Sequence, residues 1–249
     1  LQNEGFKTIS VNSGSCTICS LLPNHPLTRD KRVREAINLA VNKEEILQVV
    51  QAGFGQISRA QLLQPGLLGY RPDFQPYPYD PERARALLRE ANVGNQEFNI
   101  MTSASTRPFV DAIVGYLTAV GLNARTEPVE LPLIVQALNV NSDRPSVAWN
   151  TDYFQIRDFD AAGGRFTKDW TFPHFENDEM TDLFRAQKTE LDQQRRGEMI
   201  GRMAEIMRDE FAVLFLFHRD YPSAMSPKIV KLEQPYDTSY RLWTVEKER

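Results

Sequence analysis

Two stretches of this chain gather side chains that could hold a small polar molecule. Thr102-Ser103-Ala104-Ser105-Thr106-Arg107 packs hydroxyl groups beside a guanidinium, and Trp149-Asn150-Thr151-Asp152-Tyr153-Phe154 combines a carboxylate, an amide, hydroxyls and aromatic rings. Such a set can hydrogen-bond a polar solute, stack it on the rings and pair a cation with Asp152. Ser103 to Thr106 reads equally well as a helix cap and loop, and Trp149 as a core aromatic.

Residue patterns for catalysis are weaker. The sequence has no G-x-S-x-G nucleophile elbow, P-loop, H-E-x-x-H or complete G-x-G-x-x-G motif. His25, His174 and His218 are scattered and read as hydrogen-bonded structural residues. Asp158 with Asp160, and Glu176 with Asp178, read as solvated turn carboxylates. Cys16 and Cys19 form a lone C-x-x-C, and a metal site built on them and His25 would lack a fourth ligand. No catalytic residue, metal or cofactor is therefore expected. The cysteines are expected to lie before the first helix, away from both candidate loops, and to be dispensable for binding, though able to cross-link with each other.

The elements that must position the two stretches follow from periodicity. Val33, Ala36, Ile37, Ala40 and Val41 recur at helical spacing, and Asn42 with Glu45 forms a capping box that opens a second helix through Val50. Asp80-Pro81 is an N-cap followed by a proline at the first helical position, with Leu87 and Leu88 facing inward. Phe98 to Met101, Leu122 to Glu127 and Ser146 to Asn150 read as strands. Pro108 to Val120 and Leu131 to Leu138 read as the helices between them. Two further helices, Asp178 to Glu190 and Asp192 to Asp209, precede a buried strand at Ala212 to Phe217 and two extended pieces after Ile229. The Met199, Ile200, Met203, Ile206 and Met207 stripe reads as plain core. This alternation predicts an α/β fold with a mixed, mostly parallel sheet covered by helices. In such sheets ligands bind beyond the carboxyl ends of the strands, where both candidate loops fall.

Composition narrows the class further. The 249 residues are 41% hydrophobic and 25% charged, as in an ordinary globular protein. Lys and Arg number 29 against 33 Asp and Glu, a net charge of -4 that argues against a nucleic-acid partner. Apolar runs such as Phe211 to Phe217 fall well short of the roughly 18 to 20 residues that a membrane-spanning helix needs.

Several blocks carry a family resemblance. Pro26-Leu27-Thr28-Arg29-Asp30-Lys31-Arg32-Val33-Arg34-Glu35-Ala36-Ile37-Asn38-Leu39-Ala40-Val41-Asn42-Lys43 resembles the P-L-x-D-x-R-V-R-x-A-I-x-x-A-I-D-R segment of the family 5 extracellular solute-binding proteins, the peptide-binding components of ABC importers. Tyr77-Pro78-Tyr79-Asp80-Pro81-Glu82-Arg83-Ala84, with Leu87-Leu88, is similar to that family's Y-x-Y-D-P-E-K-A-x-x-L-L segment. Leu117 to Leu122, Ala148 to Tyr153 and Asp192 to Arg196 resemble three more blocks in the same order, although Ala148 stands where relatives carry glycine.

The resemblance implies a lobe of the type II periplasmic-binding-protein kind. On it, residues 1–20 would be a connecting segment, 21–228 the second ligand-binding lobe of a longer protein, and 229–249 final strands belonging to the first lobe. It implies a peptide or other small polar ligand, delivery to an importer permease, an extracytoplasmic location, and membrane contact only through the permease or a lipid anchor outside this chain. It also places Asp152 against the ligand's amino terminus, with Trp149, Asn150, Tyr153, Ser103, Ser105 and Arg107 lining the cavity. The alternative is a cytoplasmic ligand-sensing domain of a transcription regulator.

Overall fold

A computed structural model describes residues 6–23, 25–130, 133, 146–153, 158–171, 173–233 and 241–247. The expected helix Leu131 to Leu138 lies, apart from Leu133, outside the described residues.

The chain opens with strand β1 (Lys7–Leu21), then helices α1 (Pro26–Arg29), α2 (Lys31–Ala40) and α3 (Lys43–Gln51), and the short strand β2 (Gly55–Ile57). Helix α4 (Pro81–Glu90), β3 (Glu97–Thr102), α5 (Arg107–Ala119), β4 (Asn123–Pro128) and β5 (Ser146–Tyr153) follow. Helices α6 (Asp160–Gly163), α7 (Asp178–Gln187) and α8 (Gln193–Asp209) lead to β6 (Val213–Met225), β7 (Ile229–Glu233) and β8 (Arg241–Lys247).

Side-chain caps start the helices where the sequence places them. Asn42 Oδ1 accepts the Glu45 amide at 3.1 Å, Asp80 Oδ1 the Arg83 amide at 2.9 Å, and Asp192 Oδ1 the Arg195 amide at 2.9 Å. Each satisfies an amide that the helix itself leaves unbonded.

Six strands form one sheet in the order β2-β6-β1-β5-β3-β4. The expected parallel character holds in direction, since β3, β4, β5 and β6 all run the same way while β1 and β2 oppose them. Parallel neighbours are confined to β3 with β4 and with β5, because β1 inserts between β5 and β6. Strands β7 and β8 pair in a separate two-stranded sheet.

Each face of the sheet carries its own core. On one face, α2 to α5 pack Val33, Ile37, Ile46, Leu87, Phe109, Ile113 and Leu117 against Cys19, Leu21, Phe98, Leu214 and Phe217. On the other, Leu62, Leu63, Phe166, Phe184 and the α8 residues Ile200, Met203 and Met207 cover Cys16, Ile18, Val213 and Phe215. The methionine stripe is core, as its spacing predicts. Cys16 and Cys19 are thiols in no disulfide, three residues apart on one strand and assigned to opposite cores. A cross-link between them, open to the sequence reading, is excluded by the sheet that separates them.

The segment with the most specific family resemblance works as a clamp. Arg34, 8% exposed, donates to the Thr28 carbonyl at 2.9 Å, the Arg29 carbonyl at 3.0 Å, and the Glu210 carbonyl at 2.9 Å and carboxylate at 3.2 Å. Asn38 Nδ2 donates at 3.0 Å to the Val213 carbonyl, fastening α2 to β6, and the Lys43 ammonium donates at 2.7 Å to the Asn38 carbonyl. Burial pulls the Lys43 pKa down to about 8.

Strands β1 and β6 outrun the rest of the sheet. Their inner residues, Cys16 to Ser20 with Val213 to His218, are buried, whereas Lys7 to Asn12 pair with Asp220 to Met225 as a largely exposed ribbon. A register shift between Asn12 and Cys16 separates the two parts, and Gly14 sits there at φ 70 with its amide held 2.8 Å from Asn12 Oδ1. Residues 1–20, expected to connect two lobes, are thus strand from Lys7 onward, and Cys16 to Leu21 form a central strand of the sheet.

Candidate functional site

Parallel pairing brings the two candidate stretches to one edge of the sheet. Met101 of β3 lies opposite Trp149 of β5, so both strands run out in the same direction, and β4 ends beside Thr102 at Pro128. Beyond β3 the hydroxyls form a local network. Thr102 Oγ1 lies 2.8 Å from Thr106 Oγ1, and Ser103 Oγ lies 3.0 Å from Ser105 Oγ and 3.2 Å from Thr106 Oγ1. Thr106 precedes α5 without capping it through its side chain. Ser103 is half-buried and Ser105 exposed. Arg107 opens α5 with its side chain 58% exposed, and its Nε donates to Asp111 at 3.2 Å.

The second stretch differs from its expected form. The strand was expected to end at Asn150, with Asp152 and Tyr153 in a loop beyond it, whereas β5 continues to Tyr153. The reason is β1, whose register sets Ser20 opposite Trp149, Cys19 opposite Asn150, Thr17 opposite Asp152 and Cys16 opposite Tyr153. The ladder to β3 stops at Trp149, while that to β1 runs on. Phe154 lies outside the described residues. Because β1 is antiparallel to β5, its Cys16 abuts the carboxyl end of β5. The cysteines were expected away from this edge, and for Cys16 the register overturns that.

Strand β6 adds residues that the sequence reading passed over. His218 pairs with Cys16 and approaches the Ser15 carbonyl at 3.4 Å through Nδ1. Burial lowers its pKa to about 4. The Arg219 guanidinium lies 5.4 Å from the ring centroid of Phe109 in the first turn of α5 and 4.8 Å from that of Tyr221. Phe109 in turn packs 5.6 Å from Phe217. Opposite Arg219 stands Gly55 at φ 145, where a Cβ would come within 2.5 Å of the His218 carbonyl oxygen, so β2 approaches β6 this closely only through a glycine. Burial raises the pKa of the Asp220 carboxyl, opposed by a hydrogen bond with Asn12. The one available signal was the alternation Phe217, Arg219, Tyr221, which continues a strand past the apolar run.

Groups with other chemistry are engaged elsewhere. His25 caps α1 through the Leu27 amide at 3.2 Å. His174 Nδ1 lies 2.8 Å from Ser20 Oγ with both residues buried, and burial drives its pKa down to about 3. Asp158 is clasped by Arg196 at 2.7 and 2.9 Å, and Asp178 is held by Lys168 at 2.6 Å. Among the described residues no group of three His, Cys, Asp or Glu could hold a metal ion. A 430 Å³ groove lined by Glu45, Val49, Tyr79, Ala112 and Tyr116 runs along the outer helices rather than at this edge.

Comparison with known proteins supplies the family. The model for bacterial extracellular solute-binding proteins, family 5 middle, matches residues 1–185. The dipeptide-binding protein of Escherichia coli is 28% identical over 208 residues, 76% of this chain and 37% of that protein. Di/tripeptide-binding protein 2 of Pseudomonas aeruginosa is 42% identical over 82 residues, 32% of this chain and 15% of that protein. A peptide binding protein AppA from Clostridium difficile superposes with a TM-score of 0.88 at 16% identity, over 98% of this chain and 53% of that one. The periplasmic binding protein DppA of Helicobacter pylori, in complex with peptide STSA, gives 0.79 at 20% identity over 98% and 49%. At such identities the structural likeness establishes the fold, a type II periplasmic-binding-protein architecture. The chain spans about half the length of these solved relatives, and 37% of the E. coli protein. The family match covers most of its residues, and the chain belongs to the bacterial extracellular solute-binding proteins of family 5.

Proposed function

We propose that the chain is the principal ligand-holding lobe of a non-catalytic solute-binding protein that takes a small polar solute, by preference a peptide, outside the cytoplasm and delivers it to the permease of an ABC importer. On this reading residues 1–20 are the connecting segment, 21–228 the second lobe, and 229–249, with β7 and β8, strands of the first lobe. Membrane contact comes through the permease or a lipid anchor outside this chain.

The observation that carries the proposal is the parallel pairing of β3 with β5, which gives Ser103, Ser105 and Arg107 a common edge with the β5 end that bears Trp149, Asn150, Asp152 and Tyr153. Asp152 pairs with the ligand's ammonium, the hydroxyls and Asn150 hydrogen-bond its backbone, and Trp149 and Tyr153 supply ring surface. Peptides are favoured because relatives are named for dipeptides and glutathione, and two solved neighbours hold peptides.

The test is calorimetry on the full-length protein with Ala-Phe and its N-acetyl derivative. Asp152→Asn weakens the free dipeptide by about 2 to 5 kcal/mol, much of it from leaving the ammonium unpaired, and barely changes the acetylated one. Equal losses for the two would remove Asp152 from the amine site.

A further inference from the structure

We propose that the groove between α3 and α5 is a second binding site, which takes an ammonium carried on an apolar body; the proposal stands apart from the solute-binding reading of the sheet edge. The groove has a volume of 430 Å³, within the roughly 300 to 1,000 Å³ of ligand sites, and is walled by Ile46, Val49 and Val50 on α3 and by Ala112, Gly115 and Ala119 on α5. The α5 residues are small and recur one turn apart on a single face, and a Cβ built on Gly115 would meet no atom within 4 Å. The trough over α5 is therefore open. Val49, 76% exposed, and Tyr79, 46% exposed, add apolar surface that the fold leaves in solvent.

The lining turns from apolar to anionic where Glu45, Tyr79 and Tyr116 meet. Tyr116 donates its hydroxyl to Glu45 Oε2 at 2.6 Å, and Asn42 Nδ2 reaches the same oxygen at 3.4 Å, so Oε1 remains to accept hydrogen bonds from a ligand. The rings of Tyr79 and Tyr116 lie 5.8 Å apart between centroids at 74° to each other, and nearly perpendicular rings wall the groove on two sides beside that carboxylate.

The charges decide which ligand belongs here. A carboxylate attracts an ammonium directly, and the negative face of an aromatic ring attracts it through the ring quadrupole, whereas an anion is disfavoured by both. The two cations that flank α5 are already paired, Arg85 with Glu82 at 2.5 Å and Arg107 with Asp111 at 3.2 Å, so Glu45 sets the sign of the charge that the groove accepts. Beyond it the trough of valines, alanines and Gly115 offers no polar side chain and suits a hydrocarbon body.

The experiment follows the Val49 and Val50 methyl resonances of the full-length protein by NMR during titration with phenethylammonium, 2-phenylethanol and 3-phenylpropanoate. These probes share a phenethyl group and differ in the charge at its end. Wild type is expected to bind the ammonium at least about tenfold more tightly than the alcohol, and to show no saturable shift with the carboxylate. Glu45→Gln keeps an acceptor for Tyr116 and removes the charge, and is expected to bring the ammonium within about twofold of the alcohol. Gly115→Leu fills the trough from a helical position with open space above it, and is expected to abolish the shifts with both probes; it carries the test should the glutamine variant fail to fold. No shift with any probe in wild type, equal affinities for the three, an ammonium preference that survives Glu45→Gln, or unchanged binding in Gly115→Leu would each overturn the proposal. So would methyl shifts that follow protein concentration without any probe, which would make a second copy of the chain the occupant. The readout lies in the groove and is thus independent of any amine held at Asp152.

Discussion

Strands β1 and β6 are paired for most of their length, yet the inner and outer parts of the pair live in different environments. From Cys16 to Ser20 and Val213 to Phe217 every residue is almost fully buried between two helical layers. In the outer part, Lys7, Thr8 and Ser10 are exposed and Asn12 is half-buried on the one strand, and Asp220 to Met225 are half-buried or exposed on the other. Backbone pairing is common to both parts, so it is side-chain burial that separates a stable core from a pliable arm. A bulge with Gly14 at its centre marks the change.

The largest effect that distinguishes the two parts is expected from a core truncation. Phe215, with no exposed surface, should cost about 3 to 5 kcal/mol when changed to alanine, through lost burial and the cavity left behind. Denaturant unfolding of the full chain measures it, and a loss near that of an outer-ribbon substitution would erase the distinction.

An intermediate effect sits at the junction. His218 is the last buried residue of β6, and its pKa of about 4 in the folded state lies below the usual value of 6.5. The unfolded chain therefore binds the proton first as pH falls, so the stability supplied by the neutral imidazole is complete above about pH 6.5 and is lost progressively toward pH 4. Between pH 7 and pH 5 the loss amounts to about 2 kcal/mol. His218→Gln should flatten the stability profile by about that much, and an unaltered profile would show that folding leaves the imidazole's pKa where it is in the unfolded chain.

Ser10→Ala, in the exposed outer ribbon, should change stability by less than about 0.5 kcal/mol. A larger loss in thermal unfolding would mean that the outer ribbon contributes to the core after all.

Legibility in the sequence followed the same division. Helices with a polar cap and an apolar stripe, such as α3 behind Asn42 and α8 behind Asp192, were readable from local residues alone. Strand β1 was not. It is buried on both faces, but its inner stretch, Ser15-Cys16-Thr17-Ile18-Cys19-Ser20, carries small polar residues among the apolar ones and lacks the continuous apolar run of a strand buried on both faces; the buried Ser20 is satisfied by His174. Missing β1 left the outer end of β5 without a visible partner, so Thr151 to Tyr153 read as loop when they are strand. The same omission hid the relation between Tyr153, Cys16 and His218, and with it the place of Arg219. Long-range pairing, over more than a hundred residues in each case, leaves no local trace.

The opposite placement of the two thiols makes this protein its own opening gauge. Cys16 belongs to the core under α8 and Cys19 to the core under α2 to α5, neither is in a disulfide, and burial pushes the Cys19 thiol far above its ordinary titration range. Alkylating reagents act on exposed thiolate, so in the intact fold both positions are silent. With Cys19→Ala the remaining thiol times exposure of one layer, and with Cys16→Ala that of the other. The two layers of a single sheet can therefore be clocked independently, without introducing a foreign label.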